Sequence, residues 1–131
     1  MRPTILVIET YEVLRQALGE WLPAMFPDYQ VIQAGHDTEA LALAQAHRPE
    51  VAIVSLGSFE KNNLLIVQQL RRYRPLMKIV ILTWYDDDTY RTQAVAAGAN
   101  AIVPSQNMTL ELQQTLQILM GEPATERQTS L

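Results

Sequence analysis

The sequence predicts an α/β fold, a parallel sheet with helices packed on both of its faces. Three observations predict it. Five short runs rich in Val, Ile and Leu recur along the 131 residues. Between and after them lie segments whose apolar residues fall at helical spacing. The connections are short, so strands alternate with helices in βα units, the pattern of a parallel sheet in three layers. Right-handed crossovers leave few topologies open, and no internal repeat competes with this reading.

Each element has its own signal. Thr4-Ile-Leu-Val-Ile8 is a continuous apolar run, as a strand covered on both faces requires. Val13, Leu14, Ala17, Leu18 and Leu22 then recur at helical spacing and predict a helix over about Tyr11 to Trp21, ended by Pro23 and Pro27. Tyr29-Gln-Val-Ile-Gln-Ala34 is a second strand closed by Gly35, and Asp37 is a plausible N-cap for a helix to about Ala46, stopped at His47-Arg-Pro49. Val51 to Leu56 is the third strand, followed by a polar loop over Gly57 to Asn63 and a helix through Leu64, Val67 and Leu70 that ends before Pro75. Lys78 to Thr83 is the fourth strand. Trp84-Tyr-Asp-Asp-Asp88 leads into a fourth helix to Ala97 with Gly98 as its C′ residue. Ala101-Ile-Val-Pro104 is a short fifth strand. Thr109 would cap a last helix carrying Leu112, Leu116 and Leu119. These elements form one domain over residues 1–120, and 121–131 read as a tail or the start of a linker.

Composition narrows the function. Apolar residues make up 48% and charged residues 18%, a balance that suits a packed core and argues against disorder. A net charge of −4 gives no basic footprint for nucleic acid; the one basic knot, Arg71-Arg72-Tyr73-Arg74, reads as the solvated end of a helix. Without cysteine there is no disulfide frame, thiolate metal site or cysteine nucleophile. His36 and His47 fall in different loops and make a poor zinc pair. No signal peptide and no membrane span is visible, and the expectation is a cytoplasmic chain with no membrane association.

In an open α/β sheet, chemistry sits at the carboxyl ends of the strands. That directs attention to Ser55 at the end of the third strand, and the fourth again ends in a hydroxyl residue, Thr83. A serine there needs a base, yet no histidine is placed to serve, and Val54-Ser-Leu-Gly57 is only half of a nucleophile elbow. No strand is followed by a glycine-rich phosphate cradle. Asp86-Asp-Asp88 reads as the acidic first turn of a helix more than as a metal cluster. Trp84 and Tyr85 either cover the strand ends or form a contact surface.

Several stretches together resemble a response-regulator receiver domain of the chemotaxis-receiver type. They are Ile5-Leu-Val-Ile-Glu-Thr-Tyr-Glu-Val-Leu-Arg15, the pair Leu82-Thr83, and Ala96-Ala-Gly-Ala-Asn-Ala-Ile-Val103, and the match runs over about Thr4 to Met120. The resemblance implies a flavodoxin-like (βα)5 fold with strand order 2-1-3-4-5. It also implies five functional positions: two acids that hold Mg²⁺, a phosphoacceptor aspartate, a Thr or Ser sensor and a lysine. In this chain the acid pair falls on Glu9 and Thr10, the acceptor on Ser55, the sensor on Thr83 and the lysine on Ser105. The aromatic switch position of the fifth strand falls on Ile102.

These departures have chemical consequences. Mg²⁺ is a hard cation that wants carboxylate oxygens in octahedral geometry, and only Glu9 remains of them. A serine hydroxyl is neutral, and no positive charge at position 105 is left to stabilise a transferring phosphoryl group. The expectation is a pseudo-receiver: not an enzyme, with no catalytic residues, metal or cofactor, acting as a protein-interaction module in signalling or gene regulation. The family resemblance places its partner or homodimer face on the fourth helix, fifth strand and fifth helix, here Tyr90, Gln93, Ala94, Ile102, Glu111 and Gln114. The start and last helix also resemble receivers of helix-turn-helix transcription regulators, so a DNA-binding domain could follow Leu131 while this chain itself binds no DNA. Two other readings stay open: a phosphorelay receiver with a non-standard acceptor, and a small-ligand site formed by Glu9, Ser55, Thr83 and Ser105.

Overall fold

A computed structural model describes residues 2–56, 64–84, 87–104 and 108–121. The elements run β1 (Thr4–Ile8), α1 (Glu12–Met25), β2 (Gln30–Ala34), α2 (Asp37–His47), β3 (Val51–Leu56), α3 (Leu64–Tyr73), β4 (Lys78–Thr83), α4 (Asp88–Ala97), β5 (Ala101–Pro104) and α5 (Met108–Met120). All five strands are parallel, in the order β2-β1-β3-β4-β5. This is the flavodoxin-like arrangement that the sequence resemblance implies. Residue 1, residues 57–63, 85 and 86, 105–107 and those beyond 121 lie outside the described residues.

Strand alternation builds two cores. On one face Leu6, Ile8, Ala52, Val54, Ile79 and Ile81 meet Ala40 and Ala44 of α2, Ile66, Val67 and Leu70 of α3, and Ala94 and Ala97 of α4. On the other, Ile5, Val7, Val51, Ile53, Val80 and Leu82 meet Leu18 and Leu22 of α1 and Leu112 and Leu116 of α5. Because helices cover both faces, the central strands are apolar on both sides through their middles, Ile5 to Ile8, Val51 to Val54 and Ile79 to Leu82. The small alanines of α2 and α4 let those helices lie close to the sheet. Pro104, with no N–H to give, ends the edge strand β5, where a missing donor is tolerated.

Several boundaries differ from the sequence reading. Pro23 does not end α1: the helix runs on to Met25, and the Phe26 N–H reaches the Leu22 carbonyl at 2.8 Å. Burial of Leu22 and Phe26 holds this last turn against the loss of the proline's donor. The cap of α2 is His36, whose Nδ1 accepts from the Glu39 N–H at 3.2 Å, so Asp37 is the first helical residue. His36 and His47 therefore mark the two ends of one helix. Thr109 lies inside the first turn of α5 and does not precede it.

Arg71 fastens the lower end of the sheet. Its guanidinium donates to the carbonyls of Met77 at 2.6 Å, Pro75 at 2.7 Å and Gly98 at 2.6 Å, and to Asn100 Oδ1 at 2.7 Å. Asn100 Oδ1 in turn accepts from the Ile79 N–H. One side chain thus ties α3, the start of β4 and the α4–β5 turn together. Gly98, at φ +120, adopts a conformation that L side chains rarely take, and a Cβ there would stand 2.9 Å from the Arg71 side chain.

Candidate functional site

β1 and β3 are neighbours in register, Ile8 opposite Val54, so the residues that follow, Glu9 and Ser55, emerge side by side. Both continue the alternation toward the α1–α5 face. The Ser55 hydroxyl donates to Glu9 Oε1 at 2.5 Å, and the Tyr11 N–H donates to Glu9 Oε2 at 2.8 Å. Glu9 is 4% exposed, a buried carboxylate with a donor on each oxygen. Its backbone is held as well: its N–H reaches the Ala34 carbonyl, and Arg15 donates to its carbonyl at 2.9 Å. Burying a charge is costly unless it is hydrogen-bonded, and this environment supplies the bonds.

Thr10 is exposed, and its carbonyl accepts a longer contact from Arg15 at 3.4 Å. It brings no charge. A hard cation seeks several oxygen ligands with carboxylate charge. The described residues here offer one carboxylate whose two oxygens already accept hydrogen bonds, beside two neutral hydroxyls. They do not fit Mg²⁺. Among the described residues no group of three or more His, Asp or Glu side chains is placed to hold a metal ion.

Thr83 belongs to a different environment. It is buried at the end of β4 and continues the alternation of Ile79 and Ile81, on the side of α3 and α4. There it meets Tyr90 of α4. Tyr90 packs against the core of that face, its hydroxyl oxygen is shielded from solvent, and burial raises its pKa, with the Thr83 side chain opposing part of the rise. The strand-end residues thus include one hydrogen-bonded pair, Glu9–Ser55, and a buried Thr83 near Tyr90 of α4. Ser105, the fourth member of the expected pocket, lies outside the described residues, as do Tyr85 and Asp86. Trp84 is 59% exposed and covers nothing fully.

The expected contact face needs one correction. Ala94 has no exposed surface; it is a core residue of α4 and cannot meet a partner. Its place at the buried stripe follows from spacing to Ala97 and Tyr90. Gln93 and Gln114 are exposed, and Ile102 and Glu111 half-exposed. Tyr90 is half-buried with its hydroxyl turned inward. Val95 and Ile118, 63% and 80% exposed, are further apolar members of the outer helical surface. An apolar groove of about 210 Å³ between α1 and α5, lined by Leu14, Leu18, Trp21, Met108 and Leu112 among others, carries no charged group to orient a ligand.

Sequence reasoning missed Tyr11, Arg15 and Tyr90 as neighbours of Glu9 and Thr83. The Asp87 to Tyr90 spacing was the available signal for the last: Asp87 caps α4 by accepting the Tyr90 N–H at 2.7 Å, which fixes the tyrosine in the first turn.

Comparison with known proteins agrees with this architecture. A solved structure of chemotaxis protein CheY4 from Vibrio cholerae superposes with a TM-score of 0.81, at 23% identity, over 91% of this chain and 99% of that one. The DNA-binding transcriptional activator DevR/DosR of Mycobacterium tuberculosis is 30% identical over 109 residues, 82% of this chain and 50% of that protein. The transcriptional regulatory protein DegU of Brevibacillus brevis is 27% identical over 97 residues, 73% of this chain and 41% of that protein. The chain thus spans half or less of the length of these two relatives. The family model described as the response regulator receiver domain matches residues 5–117. The chain belongs to the receiver-domain family of two-component response regulators.

Proposed function

We propose that this receiver works without aspartyl phosphorylation, as a protein-interaction module of a regulator. The observation that carries the reading is the Glu9–Ser55 pair. The position where the family places its acceptor aspartate holds a serine, and its hydroxyl donates to the buried Glu9 carboxylate at 2.5 Å. A hydroxyl committed as donor to a carboxylate is not an anion ready to attack phosphorus. Thr10 removes one acid of the expected pair, and the lysine position is Ser105. The contacts that carry the signal then belong to the outer surface of α4, β5 and α5, with Gln93, Val95, Ile102, Glu111, Gln114 and Ile118 as its accessible members.

The relatives named as transcriptional regulators extend well beyond the length matched here. In the same reading the whole protein is a transcription regulator acting in the cytoplasm, its DNA contacts lie outside this chain, and this chain contributes dimer or partner contacts. Among the described residues no helix is long and apolar enough to cross a membrane.

An NMR titration with Mg²⁺ tests the reading. The amides of Glu9, Thr10 and Ser55 show no saturable shift through the low millimolar range. The same titration of Ser55→Asp, which sets a second carboxylate beside Glu9, does show one. Saturable shifts at those amides in the unsubstituted chain contradict the proposal.

A further inference from the structure

The chain carries a net charge of −4, yet its charges are unevenly spread. In the turns and last helical turns at the amino ends of the strands, the described residues bring six cations, Arg2, Arg48, Arg71, Arg72, Arg74 and Lys78, against two carboxylates, Asp28 and Glu50. Three of these charged groups, Arg74, Lys78 and Glu50, line a cavity of about 180 Å³ at that end. Leu76, 84% exposed, and Leu119 and Met120 from the last turn of α5 give it an apolar wall. Arg74 commits one nitrogen, Nη1, to the carbonyls of Arg48 and Pro49. Its other guanidinium nitrogens and the Lys78 ammonium have no partner among the described residues. Free cations beside exposed apolar surface fit a short segment that brings carboxylates and small apolar groups together.

We propose that this cavity is the docking site of residues 122–126 of the same chain. Helix α5 ends at Met120, in the cavity wall itself, and Gly121, at φ +63, turns the chain off the helix axis. The sequence that follows is Glu122-Pro-Ala-Thr-Glu126, two carboxylates on either side of a small apolar pair. Glu122 and Glu126 pair with Lys78 and Arg74, and Pro123 and Ala124 cover Leu76. Five extended residues span at most about 18 Å, enough to cross a cavity of this size. Pro123 biases Glu122 toward extended backbone, which lowers the cost of ordering the segment. Tethering makes the encounter intramolecular, at an effective concentration on the order of mM that a free acidic peptide would have to match. The docked segment ties the chain leaving α5 to the turn between α3 and β4, and it closes the basic end of the sheet to acidic segments of other proteins. The docking does not depend on the chemistry at Ser55, which lies at the other end of β3.

Paramagnetic broadening in solution NMR tests the docking. The chain has no cysteine, so a spin label on Gln128→Cys reports from a single place. In the labelled chain the Leu76 and Lys78 amides broaden severalfold more than the Thr38 amide, at the opposite end of the sheet. Glu122→Gln with Glu126→Gln removes the two carboxylates without touching either core, and the broadening falls at least twofold. It falls likewise in 1 M NaCl, where the Debye length is about 3 Å. Lys78→Glu lowers it too, and Glu122→Lys added to that variant restores it. Broadening that is the same with and without the two carboxylates overturns the proposal and leaves the cavity to an acidic segment of another protein. Broadening on an isotope-labelled chain without the cysteine, mixed with spin-labelled chain, makes a second copy the occupant and overturns it as well.

Discussion

Ser55 and Glu9 show how a single residue type redirects a site. A carboxylate at position 55 would stand against Glu9, and two like charges at that distance call for a cation between them. A serine turns the same approach into a donor and an acceptor. The hydrogen bond then joins the ends of β1 and β3 directly. Ser55→Ala leaves Glu9 buried with one donor fewer, and urea denaturation should report a loss of about 1–3 kcal/mol. Arg71 is the other residue whose neighbours define it. Partial burial lowers its pKa from the ordinary arginine value, and among the described residues it donates to carbonyls and to Asn100. Removing it strands several acceptors at once. Arg71→Ala should cost about 2–4 kcal/mol in the same assay, and Arg71→Lys should recover little, since an ammonium cannot fork to four groups. Neither role was legible in the sequence, because both depend on atoms brought together from positions about thirty to fifty residues apart. Arg71 in particular looked like part of a solvated basic helix end.

At the scale of elements, the strands were legible and the helix ends were not. Continuous apolar runs have few alternatives once both faces are covered, so β1, β3, β4 and β5 fell where expected. Helix ends depend on caps and on what lies beneath them. Pro23 reads as a stop, but Leu22 and Phe26 are buried on either side of it and carry the helix past. On α4 the same limit affected the contact face. Ala94 is small enough to read as surface, and the close approach of α4 to the sheet is what buries it. Ala94→Leu should overpack that contact and lower stability by about 1–3 kcal/mol, whereas Gln93→Ala should stay within about 0.5 kcal/mol. Tyr90 adds a pH signature. Burial raises its pKa above the usual tyrosine value, so the folded state favours the neutral phenol. Its contribution to stability is fully present below the unfolded value of about 10 and is lost as the pH rises through the folded value. Stability measured above pH 10 should therefore fall less steeply in Tyr90→Phe than in the parent chain.

On the scale of the whole molecule, the two cores on either face of the sheet carry the fold. The receiver fold is retained through both cores, while two of the three described positions that the family resemblance assigns to phosphate and metal chemistry beside Thr83 carry neutral side chains, Thr10 and Ser55. A fold held by its cores does not need those groups, which is why the architecture can persist as the chemistry changes. The central claim is that this receiver does not take a phosphoryl group. The most direct measurement is intact mass after incubation of the folded chain with acetyl phosphate and Mg²⁺. The account predicts an unchanged mass; a stoichiometric gain of one phosphoryl group, absent in Ser55→Ala, would contradict it.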